Sequence, residues 1–295
     1  MTLPDPYADY IHFIALFAII SFFVVWIAIS KGFFKLYPDR QNILPITFKA
    51  VVIMFALYLS FSLLLAPILS QLIHVIYAKM HTGQLPPLSI MSWVQLTILI
   101  AIFSSFYLYG MAYDKELFKR IWKNREAKSA QSIRFDLGMG ILTWLIAFPV
   151  VAVIGETVDM LLYYFFKLES YEQVAVRYLK MNLSSFETLI VPLLTILIGA
   201  PLIEEFLFRG CLQTYFKRYF GIQSAILLSS ASFALFHFAP SQGIGNISLL
   251  ITLFTFAWFL GHIYERQASL FASIGLHMAF NAFSTGRILI ESYFK

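Results

Sequence analysis

The chain has little charge and almost no cysteine. Only 13% of its 295 residues are charged, whereas 60% are hydrophobic and 18% are aromatic. A soluble protein needs far more charge to cover its surface, so this composition excludes a soluble domain and indicates a polytopic membrane protein. The single cysteine, Cys211, excludes an intramolecular disulfide, and the pattern favours a buried apolar side chain over a nucleophile.

Several processing and repeat signals are also missing. The first ten residues carry Asp5 and Asp9 but no Lys or Arg, so they lack the basic region of a cleavable signal peptide. We therefore interpret residues 11–30 as a retained first span. Neither a repeat of fixed period nor a low-complexity tract is visible, which predicts one membrane domain. Within it, residues 1–136 hold the first spans and a basic loop, and residues 137–295 hold a helical core.

Long hydrophobic runs are abundant. A membrane-spanning helix needs about 20 mostly apolar residues. Because only helices satisfy their own backbone in lipid at this hydrophobicity, the sequence predicts an all-α, polytopic transmembrane bundle of about eight spans. Four prolines predict kinks or breaks: Pro67, Pro149, Pro192 and Pro201. The candidate spans are approximately 11–30, 50–77, 92–113, 137–165, 188–216, 222–239, 247–264 and 269–285.

The basic residues predict an orientation. Loops with excess Lys and Arg face the cytoplasm, and two loops have this excess. With eight spans, both termini then lie outside, and we expect a plasma-membrane location. The net charge of +5 comes from such loops, so no nucleic-acid partner is expected. The bias weakens at 166–187, which carries charges of both signs. The loop residues are Lys31, Lys35, Arg40 and Lys49, then Lys115, Lys119, Arg120, Lys123, Arg125, Lys128 and Arg134.

Three apolar segments carry ionisable residues at a similar predicted depth. Ionisable groups inside a membrane are rare and usually functional. At 1.5 Å per helical residue, Glu204 lies about 20 Å above Lys217, His237 about 22 Å above Ile222, and His277 about 16 Å above Arg266. This agreement favours one shared site over separate interhelical hydrogen bonds, although a lone intramembrane histidine more often makes such a bond.

Helical spacing assigns directions to these side chains. Glu205 and Arg209 are i,i+4 neighbours and should pair, which leaves Glu204 for the site. Glu204 and Glu205 point about 100° apart around the helix axis, so we do not expect both to face one point. His277 shares a face with Asn281, and Phe233 shares one with His237. In the fourth span, Glu156 and Asp159 have no obvious basic partner; they either mark its outer end or line a polar entrance.

These residues form three motifs of a known family. Glu204-Glu205-Phe-Leu-Phe-Arg209 is similar to EExxxR, Phe233-Ala-Leu-Phe-His237 to FxxxH, and His277-Met-Ala-Phe-Asn281 to HxxxN. In this order on successive apolar segments, they resemble the CAAX-protease and bacteriocin-processing (Abi) family of intramembrane endopeptidases, which includes the Ras-converting prenyl-protein endopeptidases. The resemblance covers roughly residues 190–285.

The resemblance implies a glutamate-type peptidase and a role for each motif. Glu204 and His237 would activate a water, His277 and Asn281 would stabilise the oxyanion, and Glu205, Arg209 and Phe233 would support them. No cofactor is favoured, since this mechanism needs none. Zinc held by Glu204, His237 and His277 remains an alternative, although the zinc signature HExxH is absent.

The implied activity is hydrolysis of a peptide bond in a membrane-associated, lipidated or small peptide substrate, next to membrane lipids. Substrate identity and oligomeric state stay open. One alternative is a non-catalytic scaffold or immunity protein of the same fold. Another is a proton-coupled transporter, which would use the same Glu and His residues as a proton relay, but the paired broken helices in related halves that it predicts are not visible.

Overall fold

The computed structural model describes residues 6–36, 43–123, 131–167, 179–180 and 186–293, and these residues are predominantly helical. The predicted all-α bundle is confirmed. We number the helices in chain order. They are α1 (Pro6–Ser30), α2 (Phe48–Met80), α3 (Leu88–Tyr113), α4 (Lys115–Trp122), α5 (Ile133–Phe166), α6 (186–220), α7 (222–236), α8 (Asn246–Gln267) and α9 (Leu270–Tyr293).

Six stretches of the described chain are long and apolar enough to cross a membrane, compared with about eight predicted spans. One of them, Thr188–Phe236, contains both α6 and α7, because the backbone leaves the helical conformation at Gly221 (φ 74°, ψ 174°). Glycine adopts this positive φ without a steric penalty. The last predicted span corresponds to α9, which is not among the six because His277, Asn281 and Arg287 lower its hydropathy. The chain is an integral membrane protein.

The helices continue through all four prolines, so none of them breaks a span. Pro149 lies inside α5 and Pro192 inside α6. Pro67 and Pro201 each follow a π-helical turn, at Ser60–Leu65 and Thr195–Gly199. A third π-helical turn, Phe206–Gln213, begins directly after Glu205. Turns of this kind occur frequently at functional sites.

Two glycines allow α5 and α9 to cross with their backbones in contact. A Cβ atom on Gly140 would lie 2.1 Å from the carbonyl oxygen of Ala272, and one on Gly275 would lie 2.5 Å from that of Leu137. Small residues permit such close approach of membrane helices. His277 follows Gly275 by two residues. The crossing therefore fixes the position of His277 relative to α5.

The buried apolar side chains form two clusters. The first packs α2, α3 and α4 against α6 and includes Phe106, Phe206 and Phe208. The second packs α1 and α5 against α8 and α9 and includes Phe256 and Leu276. Since α6 belongs to the first cluster and α9 contributes side chains to both, the motif residues on these helices lie where the two clusters meet.

Charged residues join the helices at the end of the bundle that holds the predicted cytoplasmic loops. The Lys217 Nζ atom lies 2.9 Å from the Glu265 carboxylate, and this pair between α6 and α8 is buried. Lys123 pairs with the buried Asp136. These contacts do not test the orientation, which stays a prediction. Arg40, Arg125, Lys128 and most of the 166–187 segment lie outside the described residues.

Candidate functional site

The structure brings Glu204, His237 and His277 together from three helices. The Oε2 atom of Glu204 lies 3.8 Å from Nε2 of His237 and 3.9 Å from Nε2 of His277. Glu204 lies on the segment of α6 between two π-helical turns, and its side chain is 17% exposed. The three groups predicted to share one depth therefore share one site, with the carboxylate between two imidazoles.

A buried ion pair lies behind Glu204. Arg209 Nη1 donates to Glu205 Oε1 at 3.1 Å, and both side chains are fully buried. Arg209 Nη2 also donates to the carbonyl of Ala257 on α8, at 2.9 Å, and the guanidinium lies 4.6 Å from the centre of the Phe233 ring. The predicted Glu205–Arg209 pair is confirmed, and it connects α6 to α7 and α8.

His277 lies beside both carboxylates, which point in different directions from α6, as the sequence predicts. Its Nδ1–H donates to Glu205 Oε1 at 2.8 Å, while its Nε2 faces Glu204. The two carboxylates diverge around the α6 axis, but the imidazole has two nitrogens on opposite sides and reaches both. Glu205 thus supports His277 as well as pairing with Arg209, a role that the i,i+4 argument missed.

His237 is oriented by the end of its own helix. It is the first residue after α7, and its Nδ1–H donates at 2.8 Å to the carbonyl of Phe233, one of the last carbonyls of the helix. A proton on Nδ1 leaves the lone pair on Nε2 facing Glu204. The Phe233 ring packs on the imidazole with centroids 4.7 Å apart, so this residue contacts both Arg209 and His237.

Asn281 lies one turn beyond His277, but its described partner is a backbone carbonyl. Its Nδ2–H donates to Ile196 O at 2.8 Å. Ile196 lies in the π-helical turn before Glu204, where the Ala200 N–H donates to Thr195 O. Because Pro201 has no N–H, Ile196 O also lacks the donor five residues later. Asn281 supplies that donor, and the missing N–H of Pro201 is the sequence signal that could have predicted this contact.

The arrangement does not fit zinc as it stands. Neighbouring ligands of a tetrahedral zinc lie about 3.3 Å apart, given metal–ligand distances of about 2.0–2.1 Å. The separations here are 3.8 and 3.9 Å. Over the described ranges, no group of three or more His, Cys, Asp or Glu side chains has the arrangement of a metal site. The zinc alternative remains a prediction for a chelator to test.

Comparison with known proteins gives one match. Residues 186–283 match the family model described as Rce1-like, type II CAAX prenyl endopeptidase. The matched segment includes α6 to α8, most of α9 and all three motifs. No curated protein and no solved structure shows significant similarity to the chain. The predicted resemblance is therefore confirmed for the segment that carries the site.

Proposed function

We propose that the chain is an intramembrane glutamate-type endopeptidase in which Glu204 activates a water. This is supported by the match of residues 186–283 to the Rce1-like family of type II CAAX prenyl endopeptidases. The family indicates a protease. The mechanism, the catalytic residues and the substrate are our proposal, derived below from the geometry of the site.

The proposal rests on one observation. The Glu204 carboxylate faces the Nε2 atoms of two imidazoles, at 3.8 and 3.9 Å. These distances are too long for direct hydrogen bonds, but a water placed between the three groups could contact all of them. Glu204 and His237 both offer acceptors at this point, so together they could take a proton from that water.

Glu204 and His237 are proposed to carry the transferred proton. When water attacks the substrate carbonyl, the new O–C bond forms and the water's proton passes to Glu204, with His237 as the neighbouring acceptor. The same proton then passes to the leaving nitrogen as the C–N bond breaks.

His277 and Asn281 are proposed to stabilise the oxyanion. His277 already donates from Nδ1 to Glu205, so a protonated ring would present a second donor, Nε2–H, to the site, with its charge balanced by Glu205. Asn281 donates one N–H to Ile196 O. The second N–H of its amide is the one proposed to reach the oxyanion. We further propose that Arg209, Glu205 and Phe233 act through His237 and His277, as positioning residues.

The proposed substrate is a peptide bond in a membrane-associated, lipidated or small peptide, cleaved within or next to the bilayer. The expected test is cleavage by detergent-purified wild-type protein and Glu204→Gln, read by mass spectrometry against a library of lipidated and unlipidated membrane peptides. Glu204→Gln keeps the size of the side chain and removes its basicity. Glu116→Gln is the matched control, because Glu116 is exposed and, among the described residues, forms its ion pair with Lys119 on the same helix, α4.

Cleavage by the wild type and by Glu116→Gln, but not by Glu204→Gln, would support the proposal. A chelator arm decides the metal question, since a glutamate mechanism predicts unchanged cleavage after chelation. Cleavage that survives Glu204→Gln would refute the role of Glu204. No cleavage of any peptide by the folded wild type would favour the scaffold alternative.

A further inference from the structure

A cavity separate from the candidate site lies at the opposite end of the bundle from the Lys217–Glu265 pair. It has a volume of about 240 Å³ and is enclosed by α1, α5, the 3₁₀ turn Pro240–Gly245 with the start of α8, and α9. None of Glu204, His237, His277 and Asn281 lines it. Its wall is connected to the candidate site through two rings, because Phe280 lines the cavity and contacts Phe256, which in turn contacts His277.

Two carboxylates face this cavity, and Arg287 is a basic residue in the same wall. Glu156 and Asp159, on α5, line it and are half-buried. Within the described part of the chain, neither has a basic side chain within 4 Å, although Asp159 accepts a hydrogen bond from Ser248. Arg287 interacts with Glu156 only at longer range, and its Nε atom lies 3.6 Å from Glu291. Two neighbouring carboxylates in a partly buried place repel one another and lose hydration, which favours a cation between them.

A buried amide also points into the cavity without a partner. Gln242 is only 6% exposed and lines the cavity, and its backbone N–H donates to Ala239 O. No hydrogen bond joins its side-chain amide to any described residue, so the amide is available to a ligand in the cavity. A ligand with hydrogen-bond donors would satisfy the amide oxygen while it binds the two carboxylates.

The remaining walls are apolar and continue onto the lipid-facing surface. Five aromatic residues line the cavity: Tyr10, Phe13, Phe148, Phe280 and Phe283. Aromatic faces attract organic cations. Next to the opening, Ile11 and Leu16 on α1 and Ile290 on α9 are more than half exposed, as lipid-facing residues are. An apolar chain attached to the ligand would lie along these side chains.

We propose that this cavity binds the headgroup of a membrane phospholipid that carries a primary ammonium and a phosphate, as phosphatidylethanolamine does. The ammonium donates its three N–H bonds to Glu156, Asp159 and the amide oxygen of Gln242. A primary ammonium fits better than a quaternary one because it supplies donors for these three acceptors. Arg287 lies at the rim of the same cavity, and its two Nη groups, which are separate from the Nε atom facing Glu291, pair with the phosphate.

The proposal can be tested by lipid binding to the full, detergent-purified chain. Native mass spectrometry would measure the affinities of phosphatidylethanolamine, phosphatidylcholine and phosphatidylglycerol with matched acyl chains. We compare wild type, Glu156→Gln, Asp159→Asn, the double variant and Glu116→Gln, an exposed carboxylate on α4 that serves as the control. Each cavity variant removes one charged hydrogen bond, so each should weaken phosphatidylethanolamine binding about tenfold.

The expected result is a preference for phosphatidylethanolamine over the other two lipids in wild type and Glu116→Gln, and loss of that preference in the double variant. Equal binding of the three lipids by wild type would overturn the proposal, as would an unchanged preference in the double variant. Soluble phosphoethanolamine provides a further arm. If it displaces the lipid at an equal concentration, the occupant is a soluble amine and the lipid proposal is wrong. Arg287→Gln should weaken all three lipids alike.

Discussion

Removing the Arg209 charge should destabilise the protein strongly, because it leaves the Glu205 carboxylate buried alone. We consider Arg209→Met, which keeps an unbranched apolar side chain of similar length. Both members of the pair are fully buried, and Arg209 also donates to Ala257 O and lies over the Phe233 ring. One substitution thus removes the contacts that Arg209 makes from α6 to two neighbouring helices.

The expected loss is about 3–5 kcal/mol in the free energy of unfolding, the usual cost of breaking a buried ion pair from one side. The cost comes mainly from the unpaired carboxylate. Glu205→Gln in the same protein should therefore recover about half of the loss, since the neutral amide oxygen of Gln can still accept the Nδ1–H of His277.

The measurement is equilibrium unfolding in mixed micelles, followed by tryptophan fluorescence, for wild type, Arg209→Met and the double variant. A double variant more stable than Arg209→Met supports the reasoning. A loss below about 1 kcal/mol in Arg209→Met, the range of an exposed pair, or a double variant less stable than the single one, would refute the idea that an unpaired buried charge dominates.

Three further predictions concern other parts of the site and its support. His237→Ala should lower the cleavage rate about 100-fold or more, whereas His81→Ala, at an exposed histidine after α2, should leave it unchanged in the same assay. Gly140→Ala should lower the unfolding free energy by about 1–3 kcal/mol, because its Cβ would overlap Ala272 O; Gly138→Ala, which has open space, should not destabilise the protein in the same unfolding titration. Asn281→Ala should cost about 1–3 kcal/mol by the same titration, since Ile196 O loses its donor, and equal stability would contradict that contact.

The parts of the site that follow helical periodicity could be predicted from sequence. The Glu205–Arg209 pair depends only on i,i+4 spacing, and the meeting of Glu204, His237 and His277 depends on depth along helices of regular rise. The transmembrane fold follows in the same way from runs of apolar residues. In each case the prediction depends on spacing or hydropathy over many residues. Small errors in the predicted helix boundaries therefore do not change it.

The parts that depend on helix irregularities could not be predicted in this way. The π-helical turns at Thr195–Gly199 and Phe206–Gln213 leave no mark on the hydrophobic periodicity, and only Pro201 indicates the first of them. The contact of His277 with both carboxylates needs the relative placement of α6 and α9, which periodicity does not define. The cavity lined by Glu156 and Asp159, two residues noted in the sequence, also includes Gln242 and Arg287 from distant segments.

The most direct test of the central claim is the cleavage rate of Glu204→Gln relative to wild type on one identified peptide, with circular dichroism to show that both proteins are folded. If Glu204 is the base that activates water, kcat should fall by about 100-fold or more. The wild-type rate should also be insensitive to chelators. A Glu204→Gln rate within about threefold of wild type would contradict the account, because a general base contributes far more than that factor.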